Sequence, residues 1–174
     1  RVFLLENVVG MVNATGGKLL EDLVQGFERM GYETDWRVLN AAHFGVPQKR
    51  ERFFLLGVRS DTSTAGGIRF PEPSHFYAGR TIGLRSKQRL VSNEAEGRPA
   101  MTAWDAISDL PSIDSGGESS KYGSKPRNKY QRLMRRASRS PSLHVAAVHN
   151  AKMLNVIRHA GASRSALPEG LVSS

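Results

Sequence analysis

The distribution of apolar and polar residues predicts an α/β sheet at the start of the chain. The apolar run at residues 2–5 predicts a buried parallel strand. Between residues 18 and 30 the apolar positions recur at helical spacing, and Gly31 is suited to end that helix. Residues 35–39 and 53–58 predict two strands of a hairpin, the second of them buried on both faces. The order strand, helix, strand, turn, strand is typical of the α/β class.

The rest of the chain carries weaker structural patterns. Residues 8–17 lack periodicity and end in a Gly-Gly pair, which predicts a loop. Thr102 and Asp105 have the spacing of a loose capping box, which predicts a short helix over residues 103–110. Two later segments also predict helices, at 129–136 and 145–159.

A dense group of polar side chains precedes the last predicted strand of the sheet. The chain turns at Gly45-Val46-Pro47, because proline lacks a backbone N–H and biases the preceding residue toward an extended conformation. Five polar residues then follow in a row: Gln48, Lys49, Arg50, Glu51 and Arg52. Ligands bind at strand ends in open α/β sheets, so we predict a binding site here. The alternative is a surface ion pair between Arg50 or Arg52 and Glu51 or another acid.

Glu6 and Asn7 follow directly after the first predicted strand. A carboxylate in that position faces the crevice at the sheet edge, and partial burial there would let Glu6 deliver a proton. The alternative is that Glu6 or Asn7 caps the following segment, which is the commoner role for such residues in isolation.

The formal net charge of +9 is unevenly distributed along the chain. Residues 1–60 contain eight Lys and Arg against seven Asp and Glu, whereas residues 119–168 contain no acidic residue. A tract of one sign, interleaved with aromatic and apolar side chains, favours a nucleic-acid partner. We therefore predict that four residues contact a phosphate backbone: Lys129, Arg132, Arg135 and Arg136. The alternative is a solvated or disordered basic segment.

The composition excludes several kinds of site. The 174 residues include no cysteine, which excludes a disulfide framework, a thiolate metal site and a cysteine nucleophile within this chain. The five histidines show no H-x-x-x-H pairing, so we predict no metal site. No segment approaches the roughly 20 apolar residues that a membrane helix needs, so we predict no membrane partner.

Three motifs, in the right order, resemble those of the DNA (cytosine-5) methyltransferase family. Phe3-Leu4-Leu5-Glu6-Asn7-Val8 resembles the family's Glu-Asn-Val motif, and Gln48-Lys49-Arg50-Glu51-Arg52 resembles its Gln-x-Arg-x-Arg motif. Between them, Leu39-Asn40-Ala41-Ala42 through Gln48 resembles the next family block. The segment 102–111 is also similar to one found ahead of the family's target-recognition region.

The resemblance implies transfer of a methyl group from S-adenosyl-L-methionine to C5 of a cytosine flipped out of double-stranded DNA, after a cysteine thiolate adds to C6. Glu6 would protonate or hydrogen-bond N3 of that cytosine, and Asn7 would hold the surrounding loop. Arg52 would contact the cytosine O2, and Arg50 would orient the nucleophile side or the backbone of the flipped nucleotide. Gln48 would belong to the DNA-binding residues, bracing the turn rather than touching the cytosine itself. The resemblance also implies an intracellular protein, in the cytoplasm or nucleoid of a bacterium or the nucleus of a eukaryote.

The resemblance further implies a fold and a division of the chain. The fold class would be α/β: the C-terminal half of a Rossmann-like S-adenosylmethionine-dependent methyltransferase sheet, followed by an irregular, mixed target-recognition region. Residues 1–75 would belong to the catalytic domain and residues 76–174 to an incomplete target-recognition region. The family's Pro-Cys loop and glycine-rich cofactor loop do not occur in this sequence. We therefore expect a fragment whose partner is the missing N-terminal half of the catalytic domain, which would bind most of the cofactor. The strand at 2–5 would be an open sheet edge.

Two other functions remain open from the sequence. The chain could be a non-catalytic nucleic-acid-binding module in which the basic tract binds phosphates and the motifs no longer act. It could also be part of an RNA cytosine-5 methyltransferase. The presence of Glu6, Arg50 and Arg52 together argues against the first alternative, and the long basic region favours DNA over RNA.

Overall fold

The computed structural model describes residues 1–62, 67–76 and 98–160. The chain divides into two units, Arg1–Asp105 and Ala106–Ser174. These units are defined by packing, so the functional boundary between residues 75 and 76 stays a prediction.

A three-stranded sheet organises the first unit. Its strands are β1 (Val2–Asn7), β2 (Tyr32–Asn40) and β3 (Glu51–Arg59), in the order β1-β3-β2. The predicted β2–β3 hairpin is confirmed. The prediction of a parallel strand at residues 2–5 is wrong, because β1 pairs with β3 in the antiparallel sense. The hairpin reverses the chain and places β3 in the middle, so β1 and β2 run in the same direction without touching.

One face of this sheet carries the core. Phe53 and Leu55 of β3 are fully buried, and they pack against Leu20 of the helix α1 (Lys18–Arg29). On the opposite face the β3 side chains are only partly buried, and Val2 and Leu4 of β1 are 69% and 62% exposed. The expectation that β3 is buried on both faces is therefore wrong for the described residues.

The segments around α1 show what ends and begins the helix. The predicted helix is confirmed, and Gly31 follows its last turn with a φ of 80°, in the left-handed region that favours glycine. The segment Val9–Gly17, predicted as a loop, instead forms two stretches of 3₁₀ helix separated by a kink. Short 3₁₀ stretches show no hydrophobic periodicity that could be read from the sequence. The sequence pattern therefore predicted a loop where these two stretches occur.

An aromatic cluster of Phe3, Phe27 and Tyr32 packs against the sheet at Gly57. The ring of Phe3 lies directly over it, so that a Cβ atom added at Gly57 would stand 2.0 Å from Phe3 Cε1. The Phe3 ring cannot easily move, because it stacks on Phe27 at a centroid distance of 4.1 Å and meets Tyr32 at 5.3 Å.

We expect Gly57→Ala to lower the free energy of unfolding by about 1–3 kcal/mol, the usual penalty for overpacking a core. The matched control is Gly26→Ala in α1, where nothing lies within 4 Å of the added Cβ. That change should stabilise the helix by up to about 1 kcal/mol. Denaturant unfolding of both variants checks the pair. Equal stability of the Gly57→Ala variant and the parent chain would contradict the packing described here.

The remaining elements are short. The pair β4 (His75–Phe76) and β5 (Arg98–Pro99) is parallel. The helix α2 (Ala103–Ile107) begins at the predicted capping box, in which Thr102 Oγ1 accepts from the Asp105 N–H at 3.0 Å and Asp105 Oδ2 accepts from the Thr102 N–H at 2.9 Å. Hydrogen bonds from the Thr102 hydroxyl and N–H lower the pKa of Asp105.

Two further helices follow: α3 (Lys129–Met134) and α4 (Ala151–His159). Their existence is confirmed, but α4 starts six residues later than the predicted residue 145. Val145 forms an antiparallel bridge with Glu118 instead, which requires extended backbone. Asn150 then caps α4, its side chain accepting from the Met153 N–H at 2.8 Å.

Candidate functional site

The turn between β2 and β3 is held by one buried side chain. Asn40, only 6% exposed, accepts from the Ala42 N–H at 3.0 Å and donates to Glu51 Oε1 at 3.3 Å. The Ala41 N–H donates to the Arg50 carbonyl at 2.9 Å. These bonds close the end of the hairpin and present the Gln48–Arg52 segment in one orientation. The amide of Asn40 was not singled out from the sequence, because its partners became apparent only with the fold.

Gly45 allows the same turn to pack closely. Its φ is 78°, and a Cβ there would stand 2.9 Å from the ring of His75. The neighbouring Ser74 N–H donates to the His43 carbonyl at 2.9 Å. The segment that carries β4 therefore braces the turn from outside, and only glycine satisfies both the backbone conformation and the contact.

The fold brings together two of the predicted catalytic residues. Arg52 Nε and Glu6 Oε1 are 3.0 Å apart. Arg52 Nη1 also donates to the Glu51 carbonyl at 2.7 Å, which fixes the guanidinium. This contact follows from the sheet, since β1 and β3 are adjacent and Glu6 lies opposite Phe54. The side chain of Glu6 is 47% exposed, so it is open to solvent rather than partly buried as expected.

The other predicted site residues lie around this ion pair. Asn7 accepts from the Val8 N–H at 2.8 Å and so holds the turn that follows β1. Arg52 of the ion pair also lines a shallow cavity of about 330 Å³. The other lining residues are Val9, Gln48, Lys49, Arg50 and Glu51. Three basic side chains and one carboxylate on so small a surface suit an anionic or strongly polar ligand.

Arg135, predicted as a phosphate contact, is instead bonded to other residues of the second unit. Its Nε donates to Asp109 Oδ2 at 2.8 Å, its Nη2 donates to the same oxygen and to the Ser124 carbonyl, and its guanidinium lies 3.5 Å from the centre of the Tyr122 ring. The Arg135 and Asp109 side chains are 16% and 4% exposed. Its hydrogen-bonding fork is occupied within the unit, and we therefore withdraw Arg135 as a phosphate ligand.

Gln131 completes this buried polar network. It is 1% exposed; its Oε1 accepts from the Arg127 N–H at 2.6 Å and its Nε2 donates to Ser108 Oγ at 3.0 Å. The sequence offered no signal for Gln131 or Asp109, since glutamine and aspartate in polar segments are usually solvated.

The other predicted DNA contacts face solvent. Lys129, Arg132 and Arg136 are exposed, on or just after α3. Four more basic residues near α3 are also exposed: Lys121, Lys125, Arg127 and Arg139. We call these seven residues the basic surface. The buried network holds α3 in place through Gln131 and Arg135. The exposed side chains of the helix region, Lys129, Arg132 and Arg136, belong to the basic surface.

Among the described residues, none of the helices has the length and apolar character to cross a membrane. Nor do these residues contain a group of three or more His, Asp and Glu side chains placed to hold a metal ion.

Comparison with known proteins identifies the family. The sequence profile of the C-5 cytosine-specific DNA methylases matches residues 1–161. The chain is 37% identical to the Type II methyltransferase M.AgeI of Thalassovita gelatinovora over 153 residues, which cover 84% of this chain and 34% of the relative. It is 32% identical to M.DdeI of Desulfomicrobium norvegicum over 160 residues, covering 89% and 34%. It is 34% identical to mouse DNA (cytosine-5)-methyltransferase 1 over 155 residues, covering 82% and 9%.

A solved structure, that of a mutant of Spodoptera frugiperda DNMT2, superposes with a TM-score of 0.39 at 16% identity, covering 65% of this chain and 28% of the other. The chain spans about a third of the length of the two Type II methyltransferases. The match over residues 1–161 shows that the chain belongs to the C-5 cytosine-specific DNA methylase family.

Proposed function

We propose that this chain is the part of a DNA cytosine-5 methyltransferase that polarises the target cytosine and holds the DNA. The observation that carries the proposal is the contact between Glu6 and Arg52, two residues far apart in sequence whose side chains meet at 3.0 Å beside a cavity lined by basic residues. Nothing in the packing of the sheet requires this pair, since both side chains are partly solvated.

The pair has the chemistry that cytosine activation requires. When a nucleophile adds to C6 of the base, negative charge develops over N3 and O2. A carboxyl group at Glu6 would hydrogen-bond or protonate N3, and the Arg52 guanidinium would donate to O2. The ion pair between Arg52 and Glu6 keeps both side chains near the geometry that this chemistry needs. Arg50, exposed on the same cavity, would hold the nucleotide backbone.

The expected methyl donor, S-adenosyl-L-methionine, does not fit the described cavity. The donor carries a sulfonium cation, whereas the cavity is lined by Lys49, Arg50 and Arg52 against the single carboxylate of Glu51. A lining of net positive charge repels a cationic sulfonium group. We therefore assign no step of cofactor binding to these residues, and we propose that the methyl donor is held mainly by another part of the protein.

The exposed face and edge of the sheet support a further polypeptide as the partner. Val2 and Leu4 are exposed on the side of β1 opposite the core, next to the half-buried Leu56 and Val58 of β3. Within the described residues, β1 pairs only with β3. An apolar stripe beside an unpaired strand edge suits another strand and its covering helix. We propose that the N-terminal half of the catalytic domain occupies it, residues 1–75 completing a Rossmann-like domain and residues 76–174 contributing to target recognition.

Reconstitution tests this proposal. Because the chain has no cysteine to add to C6, it should transfer no methyl group from S-adenosyl-L-methionine to cytosine-containing duplex DNA. Adding a second polypeptide that carries the proposed N-terminal half of the catalytic domain should produce methylation, measured as incorporation of a labelled methyl group. Methylation by the chain alone would refute the assignment, and binding of DNA without methylation by the combined polypeptides would favour a non-catalytic binding module.

A further inference from the structure

Glu51 is an acidic residue placed among arginines. It lines the cavity beside the ion pair of Glu6 and Arg52, and the other charged residues of that lining are Lys49, Arg50 and Arg52. A carboxylate and a guanidinium attract each other strongly where little water separates them, so Glu51 competes with Glu6 for the same arginine. The structure nevertheless pairs Arg52 with Glu6, at 3.0 Å. A further interaction must therefore hold the Glu51 carboxylate.

The alternation of side chains along β3 accounts for part of this pairing. Consecutive strand residues project to opposite faces of a sheet. Glu51 therefore shares the core face with the buried Phe53. Arg52 shares the other face with Phe54, which lies across from Glu6. Glu51 is, however, the first residue of β3, and it lines the same cavity as Arg52. Strand geometry alone does not keep these two charges apart.

Asn40 supplies the remaining restraint on Glu51. The two residues face each other across the hairpin, and Asn40 Nδ2 donates to Glu51 Oε1 at 3.3 Å. Asn40 Oδ1 accepts from the Ala42 N–H at 3.0 Å, which fixes the amide with its nitrogen toward the carboxylate. Because Asn40 is buried, leaving that nitrogen without an acceptor would be costly. The amide therefore holds the Glu51 carboxylate on its own side of the strand.

We propose that Asn40 is a positioning residue that decides which carboxylate Arg52 binds. By holding the Glu51 side chain, Asn40 leaves the Nε of Arg52 to Glu6. The main chain of Glu51 still orients the guanidinium, because Arg52 Nη1 donates to the Glu51 carbonyl at 2.7 Å. The inference rests on the proposed function of Glu6 and Arg52 in cytosine activation, and it adds the residue that keeps this pair together.

Reversing the polarity of the hydrogen bond between Asn40 and Glu51 tests the proposal. Asn40→Asp keeps the acceptor for the Ala42 N–H, and with it the turn, but it sets a second carboxylate against Glu51 and should drive Glu51 toward Arg52. Single-turnover methylation by the reconstituted enzyme should fall about tenfold, the change expected when a hydrogen bond to a charged group is lost. Mildly alkaline buffer prevents the two carboxyl groups from sharing a proton. Adding Glu51→Gln restores a donor and an acceptor in the reverse order, so the double variant should recover most of the rate.

A second measurement does not depend on activity. In an isotope-labelled chain, the nitrogen resonance of Arg52 Nε reports the partner of the guanidinium, and its absence in Arg52→Lys identifies it. The resonance should move in Asn40→Asp and return in the double variant. Arg59 Nε donates to Asp61 Oδ1 at 3.0 Å near the other end of β3, and its resonance is the control that should stay in place. If Asn40→Asp does not fold, Asn40→Ser replaces it, since serine keeps the cap but is too short to reach Glu51.

The outcomes separate the positioning role from the proposed function. An Arg52 resonance that does not move in Asn40→Asp overturns the positioning role. So does a parent-like methylation rate in Asn40→Asp, or a loss of rate that the double variant fails to recover, and both leave the catalytic assignment of Arg52 intact. Absence of methylation by the reconstituted parent refutes the proposed function instead, and the resonance then decides by itself whether Asn40 selects the partner of Arg52.

Discussion

Arg135→Ala is expected to lower the free energy of unfolding of the second unit by about 3–5 kcal/mol, the usual result of removing one partner of a buried ion pair. The substitution leaves Asp109, whose side chain is 4% exposed, without the guanidinium that neutralises it. It also removes the cation from the face of Tyr122 and a donor from the Ser124 carbonyl. Arg135→Lys should recover only part of the loss, because an ammonium group cannot reproduce the planar fork. Thermal or denaturant unfolding checks both variants.

The adjacent Arg136 provides a control that differs by one position. Arg136 is exposed, so Arg136→Ala should change stability by no more than about 0.5 kcal/mol. If Arg136 contacts a phosphate, its loss should reduce the slope of log K for duplex binding against log salt by about 0.9. The reverse result, in which Arg135→Ala folds normally and loses salt dependence, would restore Arg135 as a phosphate ligand and contradict its internal role.

Arg52→Ala is expected to reduce methylation by the reconstituted enzyme about 10²- to 10³-fold, the typical effect of removing one donor to a developing oxyanion. Its affinity for duplex DNA should remain nearly unchanged, because the contact proposed for Arg52 forms only with a flipped cytosine. Arg52→Lys should fall between the two, since lysine keeps the charge but not the simultaneous bonds to Glu6 and the Glu51 carbonyl. Single-turnover methylation and duplex titration measure the two quantities separately.

Arg59 offers a matched control at the opposite end of the same strand. It forms an exposed ion pair with Asp61 at 2.6 Å, and Arg59→Ala should leave the free energy of unfolding nearly unchanged, because solvent screens an exposed pair. Methylation by that variant should match the parent. A normal methylation rate in Arg52→Ala would rule out a catalytic role for Arg52. It would favour a binding module, in which Arg52 is not needed.

The sequence by itself determined the elements whose causes are local. Apolar spacing placed α1 and the two strands of the hairpin, and Gly31 marked the end of the helix because glycine alone adopts its backbone conformation freely. The capping box was also predictable from the sequence, since Thr102 and Asp105 lie within one helical turn of each other. The motif residues Glu6 and Asn7 of β1 and the segment 48–52 were also predictable, because each lies within a short sequence pattern.

Only the tertiary structure decided which distant side chains meet. The antiparallel pairing of β1 depends on where the hairpin inserts β3, and that insertion sets Glu6 beside Arg52. In the basic tract, Arg135 and Arg136 are indistinguishable by composition, yet one is bound to Asp109 and the other faces solvent. Asp109 lies 26 residues before its partner, and no periodicity relates positions so far apart. Burial, which converts an arginine from a surface charge into part of a network, is a property of the packed chain.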